Sequence, residues 1–217
     1  MDNVGLVARC MMNTGFRKLR VTPLRSLGPK AFVTAVHARR ILEEARFFSS
    51  LEEAVADLDV VLAATAKRRK NFCLLSLEEA VSAVFAFPRR TRIGLLFGNE
   101  RTGLTSEEMR RSNLRFTIVQ SAIQPSYNLS SAVLLALYSL FSVSFSGSPA
   151  TRREKPAPRC AQEECLRLII GKLERRGFVH GTNRRRVTDM IHDLFGRAAL
   201  TDRDIRLLLA IFSKGLD

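Results

Sequence analysis

Between residues 18 and 133 the chain alternates short runs of Val, Ile, Leu and Phe with segments that open on a helix-start signature, and this alternation restricts the fold more than any other feature. The apolar runs lie at residues 18–22, 59–64, 92–97 and 114–119, with a shorter one at 46–48. Between them stand Ser50-Leu-Glu-Glu53, Ser76-Leu-Glu-Glu79 and Thr105-Ser-Glu-Glu108. In each, the hydroxyl and the carboxylate three residues on can satisfy backbone N–H groups that the first turn of a helix leaves without partners. Strand-length apolar runs separated by capped helices predict an α/β fold with a mostly parallel sheet covered by helices.

The last part of the chain reads differently. Residues 147–159 mix Pro, Gly, Ser and charge, a linker composition. Residues 160–217 show helical periodicity alone. Cys165, Leu168, Ile169 and Leu173 fall on one helix face, and Val187, Ile191, Leu194 and Phe195 mark a second helix. Thr201-Asp-Arg-Asp204 is a cap for a third, carrying Ile205, Leu208, Leu209 and Phe212. The expected organisation is an α/β domain over residues 1–146, a linker at 147–159 and a small all-helical extension at 160–217. At the other end, Asn3 can cap a helix over residues 4–13 that stops at Gly15, and no strand precedes it.

Charge narrows the partner. The net charge is +14; residues 1–150 carry 20 Lys and Arg against 12 Asp and Glu, and residues 151–217 carry 15 against 9. An excess spread over both parts favours a polyanion, because neutralising phosphates releases condensed counterions. No apolar run reaches membrane-spanning length and the N-terminus lacks signal-peptide grammar, so no membrane association and a cytoplasmic location are expected. Four cysteines without a CxxC, and three histidines without ligand spacing, predict neither a metal site nor a disulfide framework.

Three segments carry chemistry. The first runs from Asn3 through Gly5 and Arg9 to Gly15; Asn3 and Arg9 are about 600° apart on a helix and share no face, but a capping Asn3 and an Arg9 on the second turn can border one helix-end pocket. The second is Leu95-Leu-Phe97-Gly98-Asn99-Glu100-Arg-Thr-Gly103-Leu104-Thr105. It nearly spells a phosphate-binding loop, but Leu104 stands where the lysine is required and Glu100 would repel a triphosphate. It is either an ordinary glycine-rich turn or a loop that meets a ligand through its backbone. The third runs from Ile118-Val119-Gln120 to Ser126-Tyr127-Asn128-Leu129, opening a long apolar helix; capping explains Ser126 or Asn128 singly.

Taken in this order and at these separations, the three segments resemble the motifs of the SPOUT superfamily, SpoU/TrmH branch: Asn-x-Gly-x-x-x-Arg, then Phe-Gly-x-Glu-x-x-Gly-Leu, then Ile-Pro…Ser-Leu-Asn-Leu-x-x-Ala. The intervening Ala31, Ala35, Ile41 and Ala45, the loop 64–68 and the helical extension are similar to the TrmJ group of tRNA 2'-O-methyltransferases. The resemblance implies a trefoil knot in the C-terminal half of the α/β domain, a homodimer, and methylation of a ribose 2'-hydroxyl, in the tRNA anticodon loop or in rRNA. It implies S-adenosylmethionine as cofactor, with S-adenosylhomocysteine as product. Cofactor contacts fall on Thr65, Ala66, Lys67, Phe97, Gly98, Asn99, Gly103, Ile118, Val119, Tyr127, Asn128 and Leu129. Arg9 matches the motif arginine, and Asn3, Glu100, Ser126 and Asn128 the remaining polar positions. A guanidinium holds its proton throughout the physiological range and is a poor base, so Arg9 is expected to position the ribose and stabilise developing alkoxide charge.

The basic run Lys67, Arg68, Arg69 and Lys70 is the expected RNA contact. The chain departs from the family pattern in lacking the first strand, in Val119-Gln120 for Ile-Pro, in Tyr127 for Leu and in Lys67 for Arg. A non-catalytic RNA-binding relative is the alternative reading. A nucleotide-dependent α/β enzyme is disfavoured by the missing phosphate-loop lysine and dinucleotide fingerprint.

Overall fold

The computed structural model describes residues 3–23, 26–67, 72–124, 126–145 and 154–214. In chain order the elements are α1 (Asn3–Asn13), β1 (Arg20–Val21), α2 (Pro29–Ala35), a 3-10 turn (Val36–Ala38), α3 (Arg39–Glu43), β2 (Arg46–Phe47), α4 (Leu51–Val55), β3 (Val60–Ala64), β4 (Leu75–Ser76), α5 (Leu77–Ala86), β5 (Ile93–Leu96), α6 (Ser106–Arg110), β6 (Leu114–Thr117), α7 (Leu129–Phe145), α8 (Arg159–Arg175), α9 (Arg184–Ala198) and α10 (Asp202–Lys214).

Four strands form one sheet in the order β4-β6-β3-β5, and every pairing is parallel. β3 is central, with Leu62 opposite Leu95 on one side and Leu114 on the other. Its burial on both faces accounts for an uninterrupted Val-Val-Leu-Ala-Ala run in place of an alternating one. β1 and β2 form a separate parallel pair. All five apolar runs therefore become strands, each trimmed at one end or both. β4 (Leu75–Ser76) has no counterpart in the sequence reading, in which Ser76 is read as the cap of the helix that follows.

Two of the three expected capping boxes close fully, and the third closes by half. Ser76 with Glu79 and Thr105 with Glu108 close both reciprocal bonds. Ser50 accepts from the Glu53 amide, while the Glu53 carboxylate turns back to Ser49. Thr201 and Asp204 make the same box at the start of α10, with Asp in the Glu position.

α1 packs between α2 and α7 in an apolar cluster that includes Val7, Ala8, Met11, Ala31, Ala35, Ile41 and Val133. The approach of α1 to α2 is closer than a side chain permits: a Cβ on Gly5 would stand 2.2 Å from the Ala31 carbonyl oxygen. Gly5 is thus a packing residue. Small Ala31 and Ala35, one turn apart on α2, supply the other half of the contact.

The C-terminal helices lie against the N-terminal ends of the sheet strands. Within the stretch read as linker, residues 147–153 lie outside the described residues, whereas Ala157 is fully buried and bonds to Leu200, and the Arg159 amide donates to the Leu58 carbonyl. α9 departs from its sequence reading. Leu194, assigned to the apolar stripe, is 55% exposed, while Asp189 and Asp193 are buried. Arg110 pairs with Asp189, and Arg115 with Asp193 at 3.1 Å. The helix is rotated to satisfy these charges, and Ile191 and Phe195 still reach the α8–α10 cluster. A Cβ on Gly196 would fall 1.9 Å from the Asn113 carbonyl oxygen, so α9 meets the backbone at the N-terminal end of β6 closely. Among the described residues no helix is long and apolar enough to cross a membrane.

Candidate functional site

At the C-terminal ends of β3, β5 and β6 the loops surround a cavity of about 440 Å³. That volume lies within the range of small-molecule sites. After β3 the wall is Ala64, Thr65, Ala66 and Lys67; the Thr65 amide bonds to the Phe116 carbonyl, and its hydroxyl accepts from the Lys67 amide at 3.2 Å. After β5 it is residues 97–104. After β6 it is Ile118 and Gln120, followed by Ser126, Tyr127, Leu129 and Ala132 at the start of α7.

The loop after β5 is built by its own polar groups. The Asn99 side-chain oxygen accepts from the amides of Arg101 and Thr102 and from the Thr102 hydroxyl at 2.9 Å, and the Gly103 amide returns to the Asn99 carbonyl. Gly103 sits at φ +67°, a region that favours glycine. Gly98 is required for another reason: its Cβ would lie 2.3 Å from the Gly103 carbonyl carbon. Phe97 stands edge-on to Phe116, with ring centroids 6.3 Å apart, and forms part of the apolar floor with buried Leu104.

The three sequence segments converge on Asn128. Its side-chain oxygen caps α7, accepting from the Ser130 amide at 2.9 Å and the Ser130 hydroxyl at 2.7 Å. Its side-chain nitrogen faces away, 3.3 Å from a Glu100 carboxylate oxygen and 3.5 Å from the Asn3 side-chain oxygen. One residue from each segment therefore meets in a single exposed polar cluster beside the cavity. Capping and clustering use different atoms of the same amide, so neither excludes the other.

Ten of the expected cofactor positions line the cavity: Thr65, Ala66, Lys67, Phe97, Gly98, Asn99, Gly103, Ile118, Tyr127 and Leu129. Val119 and Asn128 stand next to lining residues. Glu100 and Ser126 line it, whereas Asn3 reaches it through Asn128. Arg9 does not line it; it is exposed on the second turn of α1. Of the expected RNA-contacting run, Lys67 is exposed and Arg68, Arg69 and Lys70 lie outside the described residues. The sequence reading missed Ala64, Arg101, Thr102, Leu104, Gln120 and Ala132 as lining positions; adjacency to the motif residues was the signal for them.

Tyr127 adds a contact between two walls of the cavity. Its hydroxyl donates to the Val119 carbonyl at 3.0 Å, tying the start of α7 to the loop that follows β6.

Comparison with known proteins agrees with this geometry. A family model described as the SpoU rRNA Methylase family matches residues 1–138. The chain is 37% identical over 142 residues to the tRNA (cytidine-2'-O-)-methyltransferase TrmJ of Methanocaldococcus jannaschii, a match spanning 64% of this chain and 62% of that protein's length. It is 27% identical over 221 residues to the tRNA (cytidine/uridine-2'-O-)-methyltransferase TrmJ of Salmonella typhimurium, covering 97% of this chain and 90% of that one. Among solved structures, TrmJ from Z. mobilis ZM4 superposes with a TM-score of 0.84 at 26% identity, over 100% of this chain and 94% of that one.

Proposed function

The chain belongs to the SpoU rRNA methylase family, and from that membership we propose that it transfers a methyl group from S-adenosylmethionine to a ribose 2'-hydroxyl of tRNA, in the anticodon loop. The observation that carries the reading is the meeting of Asn3, Glu100 and Asn128 beside a cavity of nucleoside size. Residues far apart in sequence, one from each motif, are brought within hydrogen-bond range there, which three ordinary helix caps and turns would have no reason to do.

The donor set fits the cofactor. Phe97, Ile118, Leu129 and Ala132 offer apolar walls for a flat base, and the backbone of residues 65–67 and 98–103 offers polar edges. Glu100 suits a cation and opposes a polyphosphate. S-adenosylmethionine, when bound, supplies an electrophilic methyl on a sulfonium. What remains for the protein is to hold the ribose oxygen in line and to favour the charge it develops. We assign the second task to the Arg9 guanidinium, at the exposed surface of α1. Asn128, fixed by its cap to Ser130, holds Glu100 and Asn3 in place.

We extend the reading to a homodimer formed through α7. That helix is apolar on all sides, with Leu134, Leu135, Tyr138 and Phe141 exposed opposite a buried face of Val133, Ala136, Leu137 and Leu140. A helix hydrophobic all round is normally covered on both faces. The threaded chain path belongs to the same proposal: β6, last of the four strands in sequence, lies between β4 and β3. We assign methyl transfer to residues 1–146 and treat 147–159 as the connection to the helical extension at 160–217.

The test is incubation with methyl-labelled S-adenosylmethionine and total tRNA or rRNA, followed by alkaline hydrolysis. Label in alkali-resistant dinucleotides from tRNA is the expected result, since a 2'-O-methyl blocks cleavage of the adjacent phosphodiester. Label on bases, or in rRNA alone, overturns the substrate assignment. Binding of tRNA without any transfer identifies a non-catalytic RNA-binding relative. Light scattering reads the dimer as twice the chain mass of 24.3 kDa.

A further inference from the structure

The strongest charge concentration among the described residues outside the cavity lies where α8 turns into α9. Between residues 172 and 186 there are six Lys and Arg and one acidic residue, Glu174. Arg175, Arg185 and Arg186 are exposed, and their side chains have no ion-paired or hydrogen-bonded partner among the described residues. Glu174 is engaged with Arg184, a pairing that joins the last turn of α8 to the first turn of α9.

The turn itself is pre-formed. Gly177 at φ +72° reverses the chain, and the amides of Phe178 and Val179 return to the Leu173 carbonyl. The Asn183 side chain donates to the Phe178 carbonyl at 2.9 Å and accepts from the His180 amide at 2.8 Å. Val179 is buried beneath, but Phe178 is 62% exposed, in a turn with Arg175 before it and Arg185 and Arg186 after it in the chain. Asp189 is the residue of α9 that pairs with Arg110, and Arg185 lies four residues, about 6 Å along the helix, from it.

Arg184 is engaged with Glu174, but Arg185 and Arg186 beside it at the helix N-terminus oppose the helix dipole and each other, so the segment's own stability gives no reason for those two. A polyanion does. Phosphates match the cations, and a single open ring offers a stacking face that any base can use. We propose that the α8–α9 turn is a second RNA contact, in which Arg175, Arg185 and Arg186 engage backbone phosphates and Phe178 stacks on an unpaired base. It deepens the tRNA reading above and rests on it. An anionic membrane is the competing partner, but a lipid surface is held by several apolar side chains abreast, and this turn presents one.

The experiment compares tRNA binding by the full chain with that of a Phe178→Ala/Arg185→Gln/Arg186→Gln variant across a salt series, with S-adenosylmethionine affinity and methyl incorporation measured on both. Affinity for tRNA falls about 10-fold and the slope of log affinity against log salt becomes shallower by about 1.5, at roughly 0.7–0.9 per phosphate contact. The loss reads in KM for tRNA, and cofactor affinity is unchanged. Arg185→Lys/Arg186→Lys keeps the slope, and Phe178→Ala alone weakens binding without changing it. Unchanged tRNA affinity and slope in the triple variant, beside a wild-type chain that methylates tRNA, overturns the contact alone. Turn-dependent tRNA binding with no methyl transfer overturns the catalytic reading alone. Loss of binding to phosphatidylserine vesicles with tRNA affinity intact transfers the turn to a membrane partner and overturns the proposal.

Discussion

The two ends of the same parallel sheet are finished in opposite ways. At the C-terminal ends of β3, β5 and β6 the chain leaves short loops, exposed polar side chains and a cavity. At the N-terminal ends, Asp59, Asn113 and Arg115 are buried beneath the C-terminal helices. Asp59 takes bonds from the Arg92 amide and from Lys155; Asn113 bonds to Gln162 at 2.9 Å; Arg115 meets Asp193 and the carbonyls of Met109 and Ser112. Both ends are rich in charge. One is arranged so that its groups stay available to a ligand, the other so that they satisfy each other. The difference teaches that polar residues in this chain divide by whether the fold supplies their partner, which residue type does not reveal.

The largest effect should come from breaking the closed end. Asp193→Ala leaves the buried Arg115 guanidinium, whose pKa burial already lowers to about 10, without its carboxylate. Removing one partner of a buried pair costs about 3–5 kcal/mol, which for a chain of this size is a fall in Tm of roughly 10 °C. Scanning calorimetry reads it, and methyl transfer per folded molecule should not change. A Tm within 2 °C of wild type would mean the seam does not depend on its charges.

At the open end the expectation inverts. Arg9→Ala should leave Tm unaltered and S-adenosylmethionine affinity within about twofold, while methyl transfer drops by about 10²–10³, the usual cost of one group that stabilises developing charge. Single-turnover assays with calorimetric titration separate the two. Retained activity removes Arg9 from the mechanism.

The third prediction concerns pH. His192 is mostly buried in the seam and its Nδ1 has no hydrogen-bond partner; burial first, then Arg159, Arg115, Arg110 and Arg111, lowers its pKa to about 3 from an ordinary 6.5. Because the unfolded chain binds a proton there that the folded chain refuses, stability is full above pH 6.5 and is lost as pH falls towards 3, by roughly 2 kcal/mol between pH 6.5 and 5. His192→Leu should flatten that dependence in urea titrations. An unchanged slope would place the acid sensitivity elsewhere.

The smallest effect should be that of Tyr127→Phe. It keeps the ring and removes the bond to the Val119 carbonyl, which is worth about 1 kcal/mol or less. Cofactor affinity should weaken by about threefold to fivefold with Tm unchanged. A fall in Tm without loss of affinity would make the bond structural, assigning Tyr127 to the closed kind of contact.

Much of the architecture was legible because it is written in local chemistry. Ser76-Glu79, Thr105-Glu108 and Thr201-Asp204 cap helices with atoms three residues apart, and β3 declares itself by an apolar run that only a doubly covered strand tolerates. Periodicity misplaces the α9 stripe because it ranks residues by hydropathy, and Asp193 outranks Leu194 for burial only when Arg115 lies opposite. Gly5 belongs to a ligand motif by sequence, and its contact with Ala31 makes it a packing residue.

The site divides along the same line. By itself the sequence determined five of the six strands, the capped helices, the basic character of the chain and the residue types of three motifs, since each depends on neighbours within a few positions or on a sum over the whole. Only the tertiary structure decided that Asn3, Glu100 and Asn128 share one cluster, that Arg9 stands apart from the cavity, and that the acidic residues of α9 face inward. Those are distances across gaps of up to 125 residues, fixed when strands pair and helices pack.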